Sequence, residues 1–207
     1  MIGIIDYGMG NVQSVLNGFE YVGAAAQVIE KRDDLSACSR IVLPGVGAFG
    51  VGMEALRKRG FIEALREEVI EQNKPFLGIC LGMQLICRES FEFGRHDGLG
   101  WIDAVVRRIP DNTGVCIPHM GWDDITVRRG NRLLDASGSP DMYFVHSYYV
   151  DTADSRIITA TCRYGLEFTA MIEKGNIYAV QFHPEKSQAA GLGILRRFAE
   201  VKEAVCC

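Results

Sequence analysis

Three side chains, far apart along the chain, have the chemistry of a covalent acyl-transfer site. Cys80 lies between two glycines in Gly78-Ile79-Cys80-Leu81-Gly82, and His183 and Glu185 stand two residues apart in Gln181-Phe182-His183-Pro184-Glu185. A thiolate attacks a carbonyl carbon, an imidazole moves the proton, and a carboxylate fixes the imidazole tautomer and stabilises its charged form. In extended chain, residues i and i+2 share a face, so His183 and Glu185 are expected to project together, with Pro184 holding that form. Small neighbours allow the sharp, strained turn of a nucleophile elbow at Cys80. A helix beginning just behind the sulfur would favour thiolate over thiol. Taken alone, Cys80 reads equally as a buried structural cysteine, because a free thiol packs as a small hydrophobe. His119 and His146 also have the chemistry of a base, but each is as readily a turn or packing residue.

The elements that must position these groups follow from periodicity. Pro75 opens an apolar run, Phe76 to Ile79, that reads as a buried strand; Leu81, Leu85 and Ile86 then begin a helical spacing. Ile177 to Phe182 reads as a strand delivering His183, and Ser187 is placed to cap a last helix carrying Ile194, Leu195, Phe198 and Val201. Earlier, Met1 to Ile5 is a first strand, and Val12, Val15, Leu16 and Phe19 mark an amphipathic helix. Ala25 to Ile29 and Arg40 to Leu43 are further strands; Ile62, Leu65 and Val69 give a two-faced helix. This β-α-β rhythm predicts a doubly wound open sheet with helices on both faces, whose sites form beyond the carboxyl ends of the strands. Pro44-Gly45-Val46-Gly47-Ala48-Phe49-Gly50 lies at such an end and could turn a backbone N–H toward an oxyanion. Gly8-Met9-Gly10 lies at another and reads as a turn, because Gln13 stands where a nucleotide loop needs glycine. Between Trp101 and Thr161 the runs shorten: Ala104–Val106, Val115–Ile117, Ile125–Val127, Tyr143–Val145 and Ile157–Ala160. They predict an antiparallel extension of a mixed sheet within one domain, 1–207, since no linker intervenes.

Composition narrows the class. The 207 residues are 48% hydrophobic, enough for one substantial core. Basic residues (22) and acidic residues (26) are interspersed, for a net charge of -4, so nucleic acid is not an expected partner. No apolar run is long enough to span a bilayer, and Met1-Ile2-Gly3-Ile4-Ile5-Asp6 has no secretory character, so a cytoplasmic location and no membrane partner are expected. The seven cysteines are odd in number and show no CxxC or Cys/His cluster. Reduced thiols and no metal are expected, with Cys206 and Cys207 exposed and prone to oxidation.

With these pieces in view, the chain closely resembles the class I (triad) glutamine amidotransferases. The shared motifs are Pro44-Gly45-Val46-Gly47, Gly78-Ile79-Cys80-Leu81-Gly82-Met83-Gln84 and Gln181-Phe182-His183-Pro184-Glu185, in the family's order. Asp6-Tyr7-Gly8-Met9-Gly10-Asn11, His119-Met120-Gly121-Trp122 and Tyr143-Phe144-Val145-His146-Ser147-Tyr148 resemble the branch that serves imidazole glycerol phosphate synthase in the histidine pathway.

The resemblance implies that Cys80 attacks the carboxamide of L-glutamine, that His183 carries the proton to the leaving ammonia, and that Glu185 orients His183. It implies an oxyanion hole from the N–H groups of Val46 and Leu81, and glutamine contacts from Gly47, Gln84, Glu92, Ser147 and Tyr148. No cofactor is implied. Ammonia would pass to a separate (β/α)8-barrel synthase subunit forming imidazole glycerol phosphate and an aminoimidazole carboxamide ribotide. Asn11, Trp122 and Lys186 would lie on the docking face. The branch pattern expects Asn where this chain has Asp123, and similar amidotransferases serve nucleotide-sugar and surface-polysaccharide pathways. A non-catalytic regulatory subunit on the same scaffold is the reading from another class, opposed by the complete triad. A cysteine peptidase is opposed by Gln84, Glu92 and the Ser147-Tyr148 pair.

Overall fold

In the computed structural model, which describes residues 1–135 and 139–201, the chain opens with β1 (Ile2–Ile5), α1 (Val12–Tyr21), β2 (Ala26–Ile29) and β3 (Arg40–Gly45). A short connection leads to α2 (Phe49–Lys58) and α3 (Phe61–Leu65), which runs on as a π-helical stretch, Arg66–Glu71. Strand β4 (Phe76–Cys80) passes directly into α4 (Leu81–Leu85). Then come β5 (Cys87–Ser90), β6 (His96–Asp97), β7 (Ile102–Arg108), β8 (His119–Val127), β9 (Asp141–His146), β10 (Tyr148–Asp151), β11 (Ile158–Tyr164), β12 (Leu166–Lys174) and β13 (Ile177–Val180). A closing helix, α5, spans Gln188–Glu200. Cys206 and Cys207 lie outside the described residues.

Strands β2, β1, β3, β4 and β13 lie side by side in that order, all parallel. Helices must cover both faces of such a sheet, and its strands accordingly read as unbroken apolar runs: Phe76–Cys80 and Ile177–Val180 are buried at every position. Beyond β13 the pairing turns antiparallel through β12, β10 and β7, with β5 and β6 at the far edge. β12 also pairs with β11, which leads through β8 to β9. Here one face is more open, and β9 alternates buried and less buried residues. The structure is therefore the doubly wound, open mixed sheet with an antiparallel extension that the periodicity predicts.

Period-2 alternation along the strands sorts side chains into two layers. Ile2, Ile4, Val42, Leu77 and Ile79 pack with Val15 and Phe19 of α1 and Ile194, Leu195 and Phe198 of α5. Ile5, Ile41, Leu43 and Phe76 point the other way, onto Phe49, Met53 and Leu56 of α2 and Phe61 and Leu65 of α3. Both layers end at the same row of strand termini, so the loops there stand on a rigid base.

Three expectations need correction, and one strand goes unpredicted. Val115–Ile117 is not a strand: Gly114 in the left-handed region (φ 75°) precedes it, and Pro118, which has no N–H, follows. Strand β13 stops at Val180, two residues short of Phe182, because the chain must leave the sheet to turn. The glycine-rich segment after β3 is in part helical: α2 starts at Phe49 and includes Gly50 and Gly52. Its buried side chains, Phe49, Met53 and Leu56, carry the helical period that the glycines obscure. Strand β12, an apolar run buried from Phe168 to Ile172, stands between two segments that were recognised as strands.

Candidate active site

Parallel register brings the three chemical segments to one edge. Gly45 at the end of β3 is level with Cys80 at the end of β4, and Val180 of β13 is level with Ile79. The three residues after β13 therefore emerge beside the elbow.

Cys80 adopts φ 54°, ψ -108°, a conformation costing about 1–3 kcal/mol in a non-glycine residue. Its glycine neighbours are required by close approach of backbone to backbone. A Cβ on Gly82 would lie 1.8 Å from the Leu43 carbonyl oxygen, and one on Gly78 would lie 2.8 Å from the Gly82 carbonyl oxygen. The packed backbone thus holds Cys80 in its strained conformation. The helix behind it, α4, is only five residues long, so its field at the sulfur is weaker than a full helix would give.

His183 and Glu185 do meet, though by a different route. The chain after His183 is a 3₁₀ turn, Pro184–Lys186, in which proline takes the first helical position. That turn folds Glu185 back so that its Oε1 accepts from His183 Nδ1 at 2.9 Å, with both side chains under 5% exposed. His183 Nε2 is buried and has no hydrogen-bond partner among the described residues. Burial opposes the imidazolium, but the Cys80 sulfur and the Glu185 carboxylate outweigh it and push His183 up to about 10. Ser187 does not cap α5 with its side chain. Its Oγ instead donates to the His183 carbonyl at 2.6 Å and accepts from the Tyr143 N–H at 3.0 Å, tying the turn to β9.

A cavity of about 410 Å³ opens over the sulfur. Val46, Gly47, Cys80, Leu81, Gln84, Glu92, Ser147 and Tyr148 all line it, so every residue expected around the substrate is present; His183 is not among the lining residues. Gly47 has φ 97°, which glycine adopts without strain. A Cβ on Gly10 would lie 3.5 Å from the Gly45 Cα, so the Gly8-Met9-Gly10 turn backs this segment. Glu92 is 9% exposed, and its Oε2 accepts from the Phe49 N–H at 2.6 Å, at the head of α2. The Tyr148 hydroxyl is held above its ordinary value by burial and then by Glu92, with Arg108 acting against them.

Three lining residues were not anticipated, Phe93, Arg108 and Val145, and His146, weighed as a base, also lines the cavity. Nor was the role of Gln181, whose Nε2 lies 3.8 Å from the Cys80 sulfur and whose Oε1 accepts from Gln84 Nε2 at 3.0 Å. Its signal was present, for a fully buried glutamine ending an apolar strand must have a polar partner. Neither His119 nor His146 hydrogen-bonds Cys80; they bond each other at 3.1 Å.

The three residues expected on a docking face occupy different settings. Asn11 is exposed and caps α1 by accepting from the Ser14 N–H at 3.2 Å. Trp122 packs edge-on against Tyr143, and Lys186 Nζ stands 5.6 Å from the centroid of the same ring. Val46, Met120 and Trp122 are large apolar side chains left 41%, 63% and 46% exposed. No helix among the described residues is long and apolar enough to cross a membrane.

The family described as "Glutamine amidotransferase class-I" matches residues 3–201. The chain is similar to "Imidazole glycerol phosphate synthase subunit HisH" of Geobacter sulfurreducens, 48% identical across 97% of this chain and 99% of that one. It is 44% identical to the protein of that name in Streptococcus gordonii, over 97% and 96% of the two chains, and 43% identical to a Campylobacter jejuni counterpart, over 97% and 100%. Among solved structures, a glutamine amidotransferase superposes with a TM-score of 0.76 at 20% identity, covering 97% of this chain and 99% of that one. The PurLQS structure from Thermotoga maritima gives 0.76 at 17% identity, covering 96% and 97%. At such identities the structural likeness speaks for the fold alone.

Proposed function

Because the chain belongs to the class-I glutamine amidotransferase family, we propose that it is the glutaminase subunit of an imidazole glycerol phosphate synthase, working through Cys80, His183 and Glu185. The observation carrying this reading is a strained Cys80 that lines one cavity with Gln84 and Glu92, and, acting on its sulfur, a buried His183 bonded to Glu185 at 2.9 Å. The similarity to proteins named as that subunit supports the choice of pathway, that of histidine.

The Cys80 sulfur attacks the carboxamide carbon of glutamine, and the carbonyl oxygen gathers negative charge facing the Val46 and Leu81 N–H groups. His183 Nε2–H gives its proton to the amide nitrogen as the C–N bond breaks, releasing ammonia and leaving a thioester. His183 then takes a proton from water, whose oxygen attacks the thioester; glutamate departs and the proton returns to the sulfur–imidazole pair. Glu185 holds the Nδ1–H tautomer throughout, so that Nε2 always faces the reaction. Glu92 and Tyr148 bind the charged and polar end of the amino acid, with Gly47, Gln84 and Ser147 completing the cavity.

Ammonia passes to a (β/α)8-barrel synthase subunit docked over the exposed Val46, Met120 and Trp122, with Asn11 and Lys186 on the same interface, all in the cytoplasm. The test is copurification to identify the bound subunit, followed by glutaminase assay with and without it. A barrel synthase partner and partner-dependent ammonia release are expected. A sugar-modifying partner would move the chain to the nucleotide-sugar branch, and glutamate formation unaffected by Cys80→Ala would overturn the reading.

A further inference from the structure

A buried polar chain runs from the surface to the wall of the cavity. Asp123 Oδ2 lies 2.7 Å from His119 Nε2, His119 Nδ1 lies 3.1 Å from His146 Nε2, and His146 Nδ1 lies 2.9 Å from the Tyr148 carbonyl. The two imidazoles are 1% and 6% exposed, whereas the Asp123 side chain is 36% exposed. Tyr148 carries the chain onward, because its carbonyl also accepts from Gln84 Nε2 at 3.0 Å, and Gln84 reaches the Cys80 sulfur through Gln181.

Counting hydrogens along the chain exposes a deficit. A carbonyl only accepts, so His146 Nδ1 carries a hydrogen. In the neutral ring His146 Nε2 is then a lone pair, and His119 Nδ1 must donate to it. His119 Nε2 meets a carboxylate oxygen, which also only accepts. Three contacts need three hydrogens; two neutral imidazoles supply two, and the carboxylate supplies none. The third is one additional proton, held between His119 Nε2 and Asp123 Oδ2.

We propose that Asp123, His119 and His146 form a proton-binding chain that positions the Tyr148 carbonyl in the wall of the glutamine cavity, and that loss of its one extra proton reverses the chain and releases that carbonyl. The proposal rests on the glutamine reading of the cavity. The proton leaves to solvent from the Asp123 end. The bond from His119 Nε2–H to a carboxylate is charge-assisted and roughly twice as strong as a neutral one, so it is kept. His119 Nδ1 then becomes an acceptor, His146 must place its single hydrogen on Nε2, and its Nδ1 lone pair turns against the Tyr148 oxygen. Asp123, His119 and His146 are thus positioning residues, acting through the Tyr148 backbone.

The surroundings set the direction of the titration. His119 is packed between Tyr164, with ring centroids 3.9 Å apart, and Phe144, at 4.7 Å. Burial lowers it, with Asp123 opposing. Burial likewise lowers His146 to about 3, the Tyr148 carbonyl opposing and the His119 and His183 charges adding to the fall. Cys162 of β11 faces both Asp123 and Asp124 of β8. The proton therefore belongs at the His119–Asp123 end, and burial of His119 favours its loss as the pH rises.

The test is ¹⁵N NMR of histidine-labelled full-length chain from about pH 5 to pH 8, the interval in which histidines titrate, for the parent and Asp123→Asn. An amide donates to His119 Nε2 without an added proton. The expected result is that the parent's His146 changes from the Nδ1–H to the Nε2–H form as pH rises, while Asp123→Asn keeps Nδ1–H throughout. In parallel, with the copurified partner bound, the parent's KM for glutamine should rise about two- to tenfold over that interval, the worth of one neutral hydrogen bond, and the variant's KM should stay flat relative to it. A parent His146 that holds one tautomer at every pH, or an Asp123→Asn profile identical to the parent's, overturns the proposal. Absence of all glutaminase activity would instead defeat the functional reading, and the tautomer result would still decide whether the chain binds its proton.

Discussion

Cys80 is held at φ 54° by packed backbone, so replacing its side chain should disturb the reaction and not the fold. Cys80→Ala is expected to lose glutamine hydrolysis by at least about a thousandfold, as for any covalent nucleophile, with unchanged circular dichroism and partner binding. Glu185→Gln should do less harm than His183→Ala, since the base remains. The Cys80→Ala/His183→Ala double variant should be no slower than either single one, because the pair acts as a unit. Fully additive losses in single-turnover assays would show that the two residues work independently. The raised His183 value also carries a stability signature. A histidine whose folded value lies above its unfolded one, ordinarily about 6.5, contributes fully below that pH and loses the contribution as pH rises toward the folded value, here about 10. The parent's Tm should therefore fall between neutrality and about pH 10 by more than that of Cys80→Ala, in which the sulfur no longer favours the imidazolium. Parallel curves would remove Cys80 as the cause.

Elements, and the turns between them, determine whether those residues meet. The strand–elbow–helix around Cys80 was legible because both flanking glycines were visible, and the backbone contacts of Gly78 and Gly82 explain why no larger residue fits. The pairing of His183 with Glu185 was also legible, but its geometry was not. Spacing by two suits an extended strand, and only the proximity of Tyr143 and α1 makes the chain turn at Pro184. Strand β12 and the order of the antiparallel strands were hidden for a related reason: pairing partners far apart in sequence leave no local trace. Ser187 is the long-range contact most readily tested. Ser187→Ala leaves the Tyr143 N–H without its buried acceptor and frees the His183 carbonyl, so it should cost about 1–3 kcal/mol in urea denaturation. It should also slow glutamine hydrolysis by loosening the base. A variant as active and as stable as the parent would assign the turn's rigidity to Pro184 alone.

At the scale of the whole molecule, Cys80 and the Val46 segment follow neighbouring parallel strands, whereas the exposed Met120 and Trp122 stand on β8 of the antiparallel extension. A partner covering both regions can therefore act on the site without touching the sulfur. Val46 is its natural point of action, being both a lining residue of the cavity and 41% exposed. Val46→Pro deletes the one N–H expected to face the oxyanion from this segment. It should suppress activation by the synthase subunit by on the order of a hundredfold while leaving the affinity for that subunit within a few fold. Activation equal to the parent's, measured by ammonia release at saturating partner, would place that donor elsewhere.

The bond from the Phe49 N–H to Glu92 gives this segment a mechanical character. One end of the connection is clamped where Gly45 lies in register with Cys80, and the other where the first amide of α2 is fastened to a carboxylate on the far wall. Between the clamps lie only Val46, Gly47 and Ala48, a span with no length to spare. Such a linkage tolerates changes of side chain far better than changes of length. One residue inserted among these three would have to bulge into the cavity or pull Glu92 from its anchor, and either would displace the cavity wall.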